Sequence, residues 1–211
     1  VVGAHYDSDA ATPGADDNAS GVAALLEASA AFAGKRPART VRFVAFVNEE
    51  PPWFQREGMG SLEYARACRR RGEGIAAMVC LESLGCYDTR EGSQHYPFPF
   101  SAFYPSTGDF LCFVGRVSER DLVRECVASF RRRARFPSEG AALPESVPGA
   151  GLSDHWSFWR EGYPAVMVTD TAPFRNPRYH TGADTEDTLD YDRFARATEG
   201  ILGVLGDLAD P

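Results

Sequence analysis

Four short stretches of this chain, Val1–His5, TVRFVAFV at 40–47, IAAMVCL at 75–81 and Ala165–Val168, are apolar with little polar alternation. Strands covered on both faces read this way, whereas a strand with one wet face alternates. Between them lie amphipathic stretches. Asn18 to Gly34 places Val22, Leu25, Leu26 and Phe32 near helical period, with Gly34 at the position of a C-cap. Gly60 to Arg71 reads as a second helix. Ser118 with Asp121 forms a capping box for a third, running to about Ala134 with Val123, Cys126, Val127 and Phe130 on its apolar face. Tyr191 to Ala209 reads as the last helix, and Leu111–Val114 as a further short strand. Strands alternating with helices predict an α/β fold: a three-layer sandwich whose mixed, mostly parallel central sheet is flanked by helices.

At 211 residues the chain has the size of one domain, and no repeat or second boundary divides residues 1–211. Two long segments lack periodicity: Tyr87 to Asp109, which contains HYPFPFSAFYP, and Pro137 to Ser153. Loops of that length in a compact domain are usually functional or disordered. The chain opens in what reads as the middle of a buried strand, without an initiator Met or a signal peptide. We therefore expect further N-terminal strands to precede Val1 in the natural protein. The sequence assigns no compartment and no oligomeric state.

The formal net charge is −8, from 22 Lys and Arg against 30 Asp and Glu. That balance argues against nucleic acid and anionic membranes as main partners. No apolar run approaches the ~20 residues of a membrane span. The arginine triplets at 69–71 and 131–133 end predicted helices, where positive charge complements the helix dipole. Five cysteines are scattered singly with no CxxC spacing, which reads as reduced thiols packed as small apolar groups.

The chemistry gathers where the apolar runs end. The first runs into His5-Tyr6-Asp7, the second into Asn48-Glu49-Glu50, the third into Glu82 and the fourth into Asp170, with Tyr179-His180 beyond. Asp16-Asp17-Asn18 stands in the loop after the first. In open α/β sheets ligands bind outside the carboxyl ends of the strands, so these groups are expected on one rim. Singly, each has a plainer reading: a surface turn for His5-Tyr6-Asp7, a helix start for Asp16-Asp17-Asn18, a solvated turn for Glu49-Glu50. Together, packed carboxylates repel and raise one another's pKa, and a cation relieves this. Oxygen donors with imidazole suit Zn²⁺. Two divalent ions would bring the charge from −8 to −4. There is no GxSxG elbow and no Walker loop, and Ser153-Asp154-His155 are neighbours in sequence that cannot face one another as a triad requires.

GAHYDS, GADDNASG, NEE, LES, SDHWSF and YHTGADT, in this order, resemble the motifs of the di-zinc aminopeptidase family. That family also contains glutamate carboxypeptidase-type enzymes and glutaminyl cyclases. NEEPPWFQREGMGSLEYA further resembles a bacterial subgroup of it. The resemblance implies the zinc-exopeptidase (phosphorylase/hydrolase-like) fold and removal of N-terminal residues from peptide substrates. It implies two zinc ions. His5 and Glu82 would bind the first, Glu50 and His180 the second, and Asp17 would bridge both. Glu49 would be the general base. Asp7 would accept the other N–H of the His5 imidazole. Tyr179 is read as a second oxyanion donor, beside the plainer reading of a packed aromatic. Most of the family has Asp where this chain has Glu82, which is one methylene longer. Asp154 is expected to anchor a loop near the site, His155 and Trp156 to pack, Asp184 to orient its own loop or His180, and His95 to lie at the surface. The aromatic segment Pro97–Pro105 is expected to line an apolar pocket beside the metals. Two alternatives stand beside hydrolysis: glutaminyl-peptide cyclotransfer on the same scaffold, and a non-catalytic, metal-free binding module.

Overall fold

A computed structural model describes all residues, 1–211. Six strands, β1 (Val2–His5), β2 (Phe43–Phe46), β3 (Met78–Glu82), β4 (Leu111–Arg116), β5 (Ser138–Leu143) and β6 (Ala165–Thr169), form one sheet in the order β2-β1-β3-β6-β4-β5. β2, β1, β3 and β6 are parallel, β4 is antiparallel to β6, and β5 is parallel to β4. The sheet is thus mixed and mostly parallel, as the apolar runs predict.

Six helices cover it: α1 (Gly21–Phe32), α2 (Gly60–Arg70), α3 (Arg120–Arg133), α4 (His155–Arg160), α5 (Ala172–Arg175) and α6 (Tyr191–Ala209). Successive strand residues point to opposite faces, and the core divides accordingly. Val79 and Leu81 of β3 and Val166 and Val168 of β6 pack with Leu25, Cys126, Phe130, Ile201 and Leu205 of α1, α3 and α6. Met78, Cys80, Ala165 and Met167 face the other way, onto Ala65, Cys68, Phe158 and Trp159 of α2 and α4. This is the three-layer sandwich. No helix is long and apolar enough to cross a membrane, and all five cysteines are free thiols.

Several local expectations are corrected. The first helix starts at Gly21, not Asn18. Asp17 and Asn18 leave helical geometry, and the Asn18 side chain bonds the Leu81 carbonyl and the amides of Gly21 and Ser83. Gly21 is required there: a Cβ would lie 2.2 Å from Asn18 Oδ1 and 2.5 Å from the Leu81 oxygen. The predicted Ser118 cap does not form. Ser118 lies in a short turn and donates to Glu119 at 2.8 Å, and Glu119 is itself held by the Arg116 guanidinium. The segment 137–153 is not all loop, since it contains β5, and α4 follows it immediately.

Candidate active site

β1, β2, β3 and β6 end on one rim, and the backbone there is fixed before any ligand is considered. The Asp7 carboxylate accepts the backbone N–H of Glu49 at 3.2 Å and of Glu50 at 3.1 Å, pinning the end of β2 to the end of β1. Asp184 accepts the backbone N–H of Asp16 and of Asp17 at 3.0–3.2 Å. It thereby ties the loop carrying His180 to the turn carrying Asp17, and orients that turn rather than the His180 ring. Asp16, behind this turn, accepts from the Gly85 amide and the Asn176 side chain.

On this frame Asp17 lies between two imidazoles. Its Oδ1 is 3.3 Å from His5 Nε2 and its Oδ2 is 3.0 Å from His180 Nε2. Glu82 Oε2 is 3.1 Å from His5 Nε2, and Glu50 Oε2 is 3.5 Å from His180 Nε2. Glu49 Oε2 stands 3.9 Å from His5 Nε2. The six predicted groups His5, Asp17, Glu49, Glu50, Glu82 and His180 therefore meet, and all but His180 are buried. The ligand atoms of His5, Asp17 and Glu50 lie within 4.8 Å of one another, as do those of Asp9, Glu50 and His180. Asp9, whose amide also donates to Glu50 Oε1 at 3.1 Å, is not among the groups expected from the sequence. Its one signal was its place in the HYDSD loop.

The expected partner of the His5 ring is corrected. Nδ1 pairs with the Asp7 backbone carbonyl at 3.1 Å, while Asp7 Oδ1 is 3.8 Å away and accepts from the Glu49 amide, as Oδ2 does from that of Glu50. Glu82 is fixed at both oxygens: Ser83 donates to Oε1 at 2.9 Å and Ser153 to Oε2 at 2.6 Å. Asp154 and His155 are fully buried beside this cluster, and the Asp154 oxygens have no hydrogen-bond partner. Asp170 accepts the Cys86 amide and takes no part in the cluster. Tyr179 stacks on His180 with ring centroids 3.9 Å apart. His95 is exposed.

Crowding shows in the electrostatics. Burial raises Glu49 well above the usual carboxylate range and pushes Glu50 up to about 7. Burial also raises Asp17, but its contacts with His180 and His5 prevail and hold it at about 2. His5 rises because Glu82 and Asp17 together outweigh the burial of its ring. The Nε2 of His180 is buried and donates to nothing, although Asp17 Oδ2 lies so near. A ring nitrogen aimed past a carboxylate, within a set of imidazole and carboxylate donors, fits a divalent cation of the zinc type.

Beside the cluster an apolar pocket opens. Glu82 and Tyr179 are among its lining and join it to the cluster. Tyr96, Pro97, Phe100 and Tyr104 of the long loop form one wall, and Cys112, Val114 and Met167 of β4 and β6 lie among its lining. The aromatic segment thus lies where the sequence reading put it, against a pocket adjoining the cluster.

Donors of this kind, convergent on the carboxyl ends of parallel strands, define the class: α/β chains whose sheet rim gathers imidazoles and carboxylates suited to a cation. The model of Peptidase family M28 matches residues 1–205, and the chain belongs to that family. It is 40% identical over 214 residues to the "Uncharacterized protein YfbL" of Escherichia coli (strain K12), covering 97% of this chain and 65% of that one. Among solved structures, BSAP, a zinc aminopeptidase from Bacillus subtilis, superposes with a TM-score of 0.70 at 22% identity, over 99% of this chain and 46% of that one. A glutaminyl cyclase of Bacteroides thetaiotaomicron superposes with a TM-score of 0.68 at 18% identity, over 98% and 72%. The chain thus spans under two thirds of YfbL and about half of BSAP.

Proposed function

We propose that residues 1–211 are the catalytic domain of a two-zinc exopeptidase that removes an apolar residue from the N-terminus of peptides. The observation that carries this reading is Asp17, whose two carboxylate oxygens face His5 and His180 from opposite sides. His5, Asp17 and Glu82 would hold one ion, and Asp17, Glu50 and His180 the other. When bound, such ions polarise the scissile carbonyl and make water acidic enough to lose a proton near neutral pH.

The chain's own groups supply the rest. Glu49 takes the proton of the attacking water at its carboxylate and returns it to the leaving amine. Its neighbour Glu50 is free to serve as a ligand because adjacent residues at a strand end point in different directions. Asp7 holds both glutamates in place through their amides. The Tyr179 hydroxyl donates to the oxyanion of the tetrahedral intermediate, and its own proton is held firmly by burial. The apolar pocket receives the side chain of the first residue. The acidic rim attracts its free ammonium.

Zinc content and aminoacyl-anilide hydrolysis of the native chain and of Glu49→Gln test the reading. The expected result is unchanged metal with a rate loss of order 10²–10⁴. An unchanged rate removes Glu49 from its role. Mass analysis of a glutaminyl peptide separates the alternatives: hydrolysis adds water, whereas cyclisation releases ammonia. Absence of both zinc and turnover would favour a binding module.

A further inference from the structure

Arg175, the last residue of α5, is only 7% exposed and forms no ion pair with a carboxylate. Its charge meets carbonyls and ring faces instead. Nε donates to Gln94 Oε1 at 2.8 Å, and Nη1 to the carbonyls of Phe110 at 2.9 Å and Cys86 at 3.2 Å. The guanidinium carbon lies 4.6 Å from the Phe110 ring centroid and 5.8 Å from that of Tyr87. Burying a cation is costly unless its donors are met, and Nη2 is buried with no partner, so an arginine here needs a structural reason.

The partners supply it. Cys86 and Phe110 bracket the long aperiodic loop and Gln94 lies within it, so one guanidinium bonds both legs of the loop. The return leg is shaped for the contact: a Cβ at Gly108 would come within 2.9–3.0 Å of the Arg175 side chain. Gln94 also accepts from Thr171 Oγ1 at 3.1 Å, which fixes the amide that the guanidinium grips. Immediately beyond Gln94 the loop delivers Tyr96, Phe100 and Tyr104 to the pocket. The tyrosines are tied at their far ends to the carbonyls of Pro105 and Gly140. Arg175 itself does not line the pocket.

We infer that Arg175 is a positioning residue that, through Gln94, sets the aromatic wall of the apolar pocket and so the preference for a large apolar first side chain. This rests on the reading that the pocket receives that side chain. It concerns the choice of substrate and leaves the reaction at the cluster unchanged.

The test uses the zinc-loaded chain, Arg175→Met and, as the milder variant, Arg175→Lys. Calorimetry compares binding of L-leucinamide with glycinamide. Kinetics compare leucyl- with glycyl-anilide, and hydrogen exchange follows residues 88–110. The expected result for the folded variants is a leucyl-to-glycyl preference reduced by about tenfold. The loss should appear in KM with kcat for the glycyl substrate retained, and exchange should quicken in 88–110 alone. A folded variant that keeps the native preference overturns the inference, as does a native chain that binds the two amides equally. If Arg175→Met does not fold, Arg175→Lys, which keeps the cation and loses the fork that spans both legs of the loop, decides by the same ratio. A native chain that discriminates in binding yet hydrolyses neither anilide counts against the proposed function and leaves the inference supported.

Discussion

At the scale of single residues the informative position is Glu82. A glutamate where the resembling family mostly has aspartate brings an extra methylene and more freedom, and this fold restrains it with two hydroxyls, from Ser83 and Ser153. With Oε1 engaged by Ser83, the oxygen facing His5 is Oε2, which Ser153 aims. Removing such an outer partner typically costs 10–100-fold in metal affinity. Ser153→Ala is therefore expected to weaken one of the two proposed zinc equivalents by about that factor and leave the other unchanged. Competition with a chromogenic chelator reads this directly. Two equally weakened sites, or none, would show that Ser153 acts only in packing against Cys80, whose sulfur is 3.2 Å from its hydroxyl.

At the scale of elements, α4 carries a pH dependence. His155 is fully buried in it, edge-on to Trp159 at 4.5 Å, with Nε2 bonded to the Ala150 carbonyl. Burial lowers its imidazole from 6.5 to about 4, so it is neutral in the fold and gains a proton on unfolding below pH 6.5. Its contribution to stability is complete above pH 6.5 and disappears as the pH falls from there to about 4. The loss amounts to roughly 3 kcal/mol. Urea midpoints of His155→Gln should vary less across this interval than those of the native chain, and parallel curves would refute the assignment.

The same elements show what the sequence made legible. β3 and β6 were readable because both of their faces are covered, leaving an unbroken apolar run, and α6 was read end to end because nineteen residues carry a clear period. β5 was not. SEGAAL has little strand propensity and is half-buried at the edge, and it is a strand because β4 offers it a complete register. α4 is six residues long with no capping side chain, too short for periodicity to register. The site was legible as far as residue types at strand ends go. Asp9 and the clamp on Glu82 depend on loop paths that no spacing reveals.

At the scale of the whole molecule, the buried acids of the rim outnumber its two imidazoles, within a chain of net charge −8. Cations at the rim would relieve repulsion among Asp17, Glu49, Glu50 and Glu82. Ligands that bind only the folded state stabilise it by about 2.7 kcal/mol at a hundredfold excess over Kd. Stripping with a chelator is expected to lower Tm by several degrees and abolish anilide hydrolysis, and added zinc should restore both. A melting temperature indifferent to chelation would contradict the proposed metal positions.

The reversed direction of β4 has a further consequence. Because it runs against its neighbour β6, the chain enters it, rather than leaves it, at the end of the sheet that carries the carboxylate cluster. The polypeptide leading in is the stretch that leaves β3, and it is bonded to the segment after β6: Gln94 accepts from Thr171 and Arg175, and the His95 amide donates to the Phe174 carbonyl. The aromatic wall and the carboxylate cluster thus share one run of backbone, from Glu82 through Tyr104, and move together.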